Sequence, residues 1–228
     1  MSSTTDDQPD EQPNIWALDP ESTKPLPRGR HALSRETVLA SQRGRMLHAV
    51  MIVTAQKGYG YVSVGDVIAE AGVSRKAFYE HFDNFEECWA EAYSTAVEIL
   101  FAEITRAVIE RGAVGDREAA LAVSIDMLTH LGSLEPLVAH ASYHDVIGAG
   151  PAGLAAHQAT LERHADIVLT LWDGKSLAES TTERRVAAAG AVAVLAGIFG
   201  DYLNTGRAEE LPNIGDQLQK LMIAVLEA

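Results

Sequence analysis

The chain has 228 residues, is 47% hydrophobic and carries a formal net charge of −14, which is enough apolar material for one large domain or for a small domain beside a larger one. A single cysteine, Cys88, excludes an internal disulfide. The first 25 residues are acidic and polar with no apolar core, and the longest apolar run, residues 186–200, is too short to span a bilayer and rich in Ala and Gly, so a cytoplasmic protein with no membrane partner is expected and the run is expected as a buried helix.

Residues 1–27 hold Pro9, Pro13, Pro20, Pro25 and Pro27 among Ser, Thr, Asp and Gln, and this composition predicts a disordered acidic tail. The charge is divided unevenly: residues 1–23 carry −6, residues 24–85 carry +4 and residues 86–228 carry −12. The basic block matters more to a polyanion than the global sum, and the acidic body would turn that block toward it.

From about residue 41 onward the pattern predicts helix almost throughout, with no alternating β-branched run that argues a sheet. The first helix is expected over residues 41–57, with Met46, Ala49, Val50 and Val53 on one face, ending at Gly58. Ser63 is a good N-cap for the second, whose buried face is Val64, Val67, Ile68 and Ala71. Gly72 makes the turn, and Ser74 caps a third helix over residues 75–81, with Phe78 and Phe82 facing inward. Asn84 with Glu87 resembles a capping box for a long fourth helix over residues 85–110. Five more are expected over residues 116–131, 136–147, 152–172, 179–205 and 213–227, with breaks at Gly112/Gly115, Gly132-Ser133, Gly148–Gly153, Asp173-Gly174 and Gly206–Pro212. The fold class expected is all-α, about nine helices.

A short amphipathic helix, a glycine turn and a second capped helix make a helix-turn-helix. Gly accepts positive φ at the reversal without Cβ strain. Arg75 and Lys76 open the second helix, the end that meets base edges, where Arg can bond guanine O6 and N7 with both arms of its fork. Tyr79 and His81 are candidate phosphate contacts that fix register, and Ser63 and Ser74 are further DNA-binding candidates. Arg43 is a further candidate, and it is equally readable, with Arg35 and Arg45, as an ordinary surface residue.

The run from Val67 to Phe82, VIAEAGVSRKAFYEHF, with the helix before it and Gly58-Tyr59 and Ser63-Val64 between, resembles the DNA-binding domain of the TetR family. That resemblance covers residues 42–89 and implies a double-stranded DNA partner, a homodimer and a variable C-terminal domain that binds a small effector. The family often places a Lys near the start of the fourth helix; Phe85 stands there in this chain, and no phosphate contact is carried over to it. Domains are expected at 1–27 (tail), 28–84 (reading head with a basic arm) and 85–228 (ligand-binding and dimerisation body). In the arm, Arg28-Gly29-Arg30 resembles the core of an AT-hook, with Arg28 and Arg30 entering a narrow A/T minor groove; a solvated basic linker is the plain alternative.

The small residues between Ala187 and Gly200, with the amphipathic run from Ile214 to Leu226, suit a four-helix interface across a twofold axis, or packing within one chain. Candidate pocket residues are Phe101, Met127, His130, Tyr143, His144, Trp172 and Phe199, large or polar groups on apolar helices. His140 and His144 lie i, i+4 and His157 and His164 lie i, i+7, but a metal site needs three or four converging ligands, so no metal and no cofactor are expected. A Gly-rich phosphate loop and a GxSxG elbow are both missing from the sequence. The expectation is a non-enzymatic regulator, a repressor released from a palindromic operator by a small, mostly apolar effector. The alternative is a dimeric architectural DNA-binding protein with no ligand.

Overall fold

The computed structural model describes residues 35–228, so the acidic tail, Arg28 and Arg30 lie outside the described residues. Every regular element among the described residues is helical. We number them α1 (Arg35–Lys57), α2 (Val64–Ala71), α3 (Arg75–Tyr79), α4 (Phe85–Glu110), α5 (Arg117–Leu134), α6, α7 (Gly150–Asp173), α8 (Thr182–Asn204) and α9 (Gly215–Leu226). The sixth is composite: Pro136–His140 is α-helical, Ala141–Asp145 is one π turn, and Val146–Gly148 is α-helical again. Short 3-10 segments, Tyr59–Tyr61 and Ala208–Ile214, precede α2 and α9.

Capping explains most of the boundaries. Ser63 forms a full capping box with Asp66, and Ser74, Asp116 and Thr181 each accept from the third residue of their helices. Asn84 Oδ1 accepts from Glu87 N at 2.8 Å, but Glu87 returns its carboxylate to the backbone N of Asp83 at 2.6 Å, so the expected box closes one residue early. Ser41 is not a helix start: α1 already runs through it and the side chain is buried. The third helix ends at Tyr79 rather than His81.

The break expected at Gly132-Ser133 does not occur, and α5 continues to Leu134. Gly132 is instead a packing residue. A Cβ there would stand 2.4 Å from Phe199 Cζ and 3.2 Å from Leu211 Cδ1, so the glycine lets α8 and the 3-10 segment close onto α5. Gly153 does the same between α6 and α7, where a Cβ would come within 2.0 Å of the carbonyl oxygen of Val146.

Two main cores result. The first joins α1, α2 and α3 to the first two turns of α4, with Met46, Val50, Val67, Phe78, Phe82, Phe85, Cys88 and Trp89 buried together. The second joins α5, α7, α8 and α9 around Leu128, Leu169, Phe199, Leu211, Leu218 and Met222. Three elements touch both: α7 packs Ala156 on the first and buries Leu169 in the second, and the other two are α4 and α6. The start of α4 belongs to the first core and Leu100 packs on the second. The composite α6 gives Val138, Ala141 and Val146 to the first core and Ala139 and Tyr143 to the second.

Of α8, expected as a buried helix, 39% of the most apolar stretch is buried. It is the one helix among the described residues long and apolar enough, by composition alone, to cross a membrane. Its open side is a line of apolar or small residues: Val186 is 66% exposed, and Ala189, Ala193 and Gly197 follow at helical spacing.

Candidate nucleic-acid interface and cavity

The helix-turn-helix is held by four local devices. Gly72 lies in the left-handed region at φ 61° and its N–H donates to the carbonyl of Ile68, as does that of Val73 at 3.2 Å. Arg45, reaching over from α1, donates Nη1 to the carbonyl of Ala71 at 2.8 Å. Arg45 therefore caps the C-terminus of α2 and is committed inside the head rather than offered to phosphate. At the other end of α2, Lys57 Nζ bonds Asp66 Oδ1 at 2.5 Å. That bond, with the Ser63 N–H and hydroxyl, holds the Asp66 carboxyl down at about 2. The aromatic pair Phe78/Phe82 fills the floor, 5.6 Å between ring centroids.

This frame leaves the start of α3 outward. Arg75 and Lys76 are exposed. Lys76 is held only by a loose i, i+4 pair with Glu80 at 3.7 Å, and the Arg75 guanidinium lies 5.7 Å from the centroid of Tyr79, itself half exposed. Ser63 and Ser74 are exposed helix caps. His81 is placed differently from the expectation. It follows the end of α3, its Nε2 is buried without a hydrogen-bond partner, and burial and the neighbouring Arg43 lower its pKa. Arg43 pairs with Glu91 of α4 and covers the Phe82 ring at 5.0 Å, so it stitches α1 to α4. Tyr61, two positions before the α2 cap, is 84% exposed. Nothing in its local pattern separates it from Tyr59, which is packed against Phe85 and Trp89.

A second feature lies in the body. Helices α4, α5, α6, α7 and α8 surround a cavity of about 70 Å³. Its walls are mostly apolar (Ala96, Val97, Leu100, Leu128, Leu131, Val138, Leu161), with Tyr93, Glu135, Ser142, Tyr143, His157, Thr160 and His164 as the polar groups. Of the seven pocket residues expected, Tyr143 and Phe199 line it. Phe101 lines a smaller space of about 40 Å³ behind it, where Leu128 and His164 are common to both walls. The other four serve elsewhere. His130 is exposed on the outer face of α5, and Met127 receives the Arg111 guanidinium. His144 bonds the carbonyl of Gly200 at 3.1 Å. Trp172 lies under Arg117, 4.4 Å from the ring centroid. Tyr93, His157, Thr160 and His164 were missed; the i, i+7 spacing of the two histidines was the available signal.

A polar contact also connects the cavity wall to the head. Glu135 lines the cavity, and its Oε2 lies 3.5 Å from His48 Nε2 on α1.

Residues 47–92 match the family model described as bacterial regulatory proteins, tetR family. Comparison with curated proteins finds no match. Among solved structures, the fatty acid degradation regulator FadR from Bacillus halodurans superposes with a TM-score of 0.67 at 16% identity, over 80% of this chain and 94% of that one. FadR from Bacillus subtilis, solved in complex with stearoyl-CoA, gives 0.62 at 16% identity over 79% and 97%. A TetR-family transcriptional regulator from Streptomyces coelicolor gives 0.59 at 18% identity over 86% and 96%.

Proposed function

We infer that this chain, a member of the tetR family of bacterial regulatory proteins by its residues 47–92, is a sequence-specific repressor that leaves a palindromic operator when a small, mostly apolar molecule enters the cavity of its body. The chain is a DNA-binding regulator; the operator symmetry, the repression and the effector are our reading. The observation that carries it is the start of α3, where Arg75 and Lys76 stand exposed on a helix-turn-helix locked by Gly72, Arg45 and two serine caps.

In this reading residues 28–84 form the reading head and residues 85–228 the body. Arg75 reads base edges, while Lys76, Tyr79, Ser63 and Ser74 hold phosphates, the Ser74 hydroxyl retaining a proton to donate because its cap uses only a lone pair. Ser63 already gives its proton to Asp66 at 2.8 Å, so it must trade that bond for a phosphate. A second copy of the chain covers the open stripe of α8 together with Leu221 of α9, 40% exposed. Small residues there let two helix pairs approach closely across a twofold axis.

The switch uses two of the elements shared by both cores, α4 and α6. A ligand among α4, α5, α6, α7 and α8 changes the seat of α4 and α6, and these carry α1 and the head with them. Two recognition helices must sit about 34–36 Å apart, or a multiple of it, to enter successive major grooves. A displacement of a few ångströms at the body then stops both from docking together. The FadR neighbour holding stearoyl-CoA supports a ligand-binding body on this fold, and the cavity favours an effector over the architectural alternative.

Selection of bound duplexes from a random pool, repeated with a metabolite extract, tests the proposal. We expect an inverted repeat to be enriched without extract and lost with it. Enrichment that no extract fraction reduces would leave an architectural or constitutive DNA-binding protein.

A further inference from the structure

The hydrogen-bond inventory of the cavity narrows the effector's chemistry, an inference that rests on reading this cavity as the effector site. His164 Nδ1 lies 3.0 Å from the carbonyl oxygen of Thr160. A carbonyl only accepts, so Nδ1 carries the ring's proton and Nε2 is left as a bare lone-pair acceptor. Nε2 is buried and has no hydrogen-bond partner. Burial pushes the imidazole down to about 4, so at neutral pH the ring does not convert Nε2 into a donor by taking up a second proton. A buried acceptor left unmet costs free energy that a donor placed against it returns.

The surroundings offer an anion no cation. No lysine or arginine lines the cavity. The Arg163 guanidinium is turned to Glu98 at 2.5 Å and covers the ring of Phe101 at 4.2 Å, a ring that itself packs 4.6 Å from His164. Glu135 brings a carboxylate to the wall, and burial lowers the pKa of His157 as well. Thr160 Oγ1 gives its only proton to the carbonyl of Ala156 at 3.0 Å, so Tyr93, 2.9 Å away, donates to Thr160 and keeps its own lone pairs. A carboxylate or phosphate entering here would lose its hydration with no cation to replace it.

We propose that the effector is an uncharged, mostly apolar molecule carrying one O–H or N–H group that donates to Nε2 of His164. His164 is thereby a specificity residue of the cavity, and because it also walls the smaller space beside Phe101, it stands where a longer ligand would pass from one space to the other.

The test uses three probes of matched length: 1-octanol, 1-methoxyheptane and octanoate. Binding to the full chain is followed by calorimetry and by the fluorescence of Trp89, which stacks on Tyr93 at the cavity wall. We expect 1-octanol to bind about tenfold more tightly than the ether, the worth of one well-placed hydrogen bond, and octanoate at least about a hundredfold more weakly than the alcohol. His164→Phe should bring the alcohol and the ether within about twofold of each other. His164→Gln, which supplies an acceptor again, should restore part of the preference. Octanoate binding most tightly, an alcohol no better than the ether, or a preference that survives His164→Phe would overturn the proposal while leaving the cavity an effector site. If none of the three binds, the effector-site reading fails and this inference falls with it.

Discussion

Glu135 and His48 join the two halves of the molecule, Oε2 to Nε2 at 3.5 Å, the carboxylate at 15% and the imidazole at 28% side-chain exposure. Glu135 closes α5, precedes α6 and lines the cavity, while His48 sits on α1 of the reading head. The contact is too long to be a strong bond. Its importance is positional, because it ties the cavity wall to the helix that Arg45 uses to cap α2. Glu135→Gln should leave folding and unliganded DNA affinity within about threefold. It should also reduce the change in DNA affinity caused by saturating 1-octanol, a change expected in the range of about 5- to 150-fold for ordinary site-to-site coupling. Anisotropy of a labelled duplex with and without the alcohol measures both, and an unchanged ratio would remove Glu135 from the coupling route.

The turn of the helix-turn-helix should be costly to alter. Gly72→Ala places a Cβ at φ 61°, in the left-handed region, and should cost about 1–2 kcal/mol. Arg45→Met removes the cap on the carbonyl of Ala71 and should cost about 1.5–3 kcal/mol, the range for hydrogen bonds to charged groups. Urea denaturation gives both values. A Gly72→Ala protein as stable as the parent would mean that the turn has another conformation.

Acid should act on the fold through His164. Its folded pKa of about 4 lies below the ordinary 6.5. Between these values the unfolded chain takes up a proton that the folded chain refuses. Stability therefore falls as pH drops from about 6.5 to about 4, and the loss is complete below that. His164→Phe removes this contribution, so the variant should gain on the parent by up to a few kcal/mol across the window. Urea midpoints at pH 7, 5.5 and 4.5 check it, and a constant difference between the two proteins would contradict the buried neutral ring.

The helix-turn-helix was legible because its determinants are local. Ser63, Gly72 and Ser74 are read from neighbours within four residues, and the Phe78/Phe82 floor follows from helical spacing. The same locality sets its limit. Arg43 and Arg45 look like free cations until α4 supplies Glu91 and α2 supplies a carbonyl. The cavity was largely illegible, since five helices build it and no single period marks its wall. His164 was visible only as an i, i+7 partner of His157. Gly132 has the form of a helix break in sequence, and the ring of Phe199, 67 positions away, is what makes it a contact. The π turn at Ala141–Asp145, which lets α6 face two cores, has no sequence mark that we can identify.

The open stripe on α8 predicts the assembly. Ala193 is exposed, between Ala189 and Gly197 on the same side of the helix. Ala193→Arg would bury a charge where two copies meet, and should convert a dimer to a monomer in sedimentation without lowering the monomer's helix content. Binding to an inverted repeat should weaken much more than binding to a half-site. A dimer that persists in Ala193→Arg would place the twofold axis elsewhere.

The most direct test of the DNA-reading account is the affinity of Arg75→Ala/Lys76→Ala for a duplex selected by the parent protein, measured beside an unrelated duplex at one fixed salt concentration. A bidentate arginine–guanine contact is worth about 1–3 kcal/mol in each half-site. The double variant should therefore lose at least about thirtyfold on the selected duplex and only a few-fold on the unrelated one, with circular dichroism unchanged. Equal affinities of parent and variant for the selected duplex would contradict the assignment of α3 as the element that reads DNA.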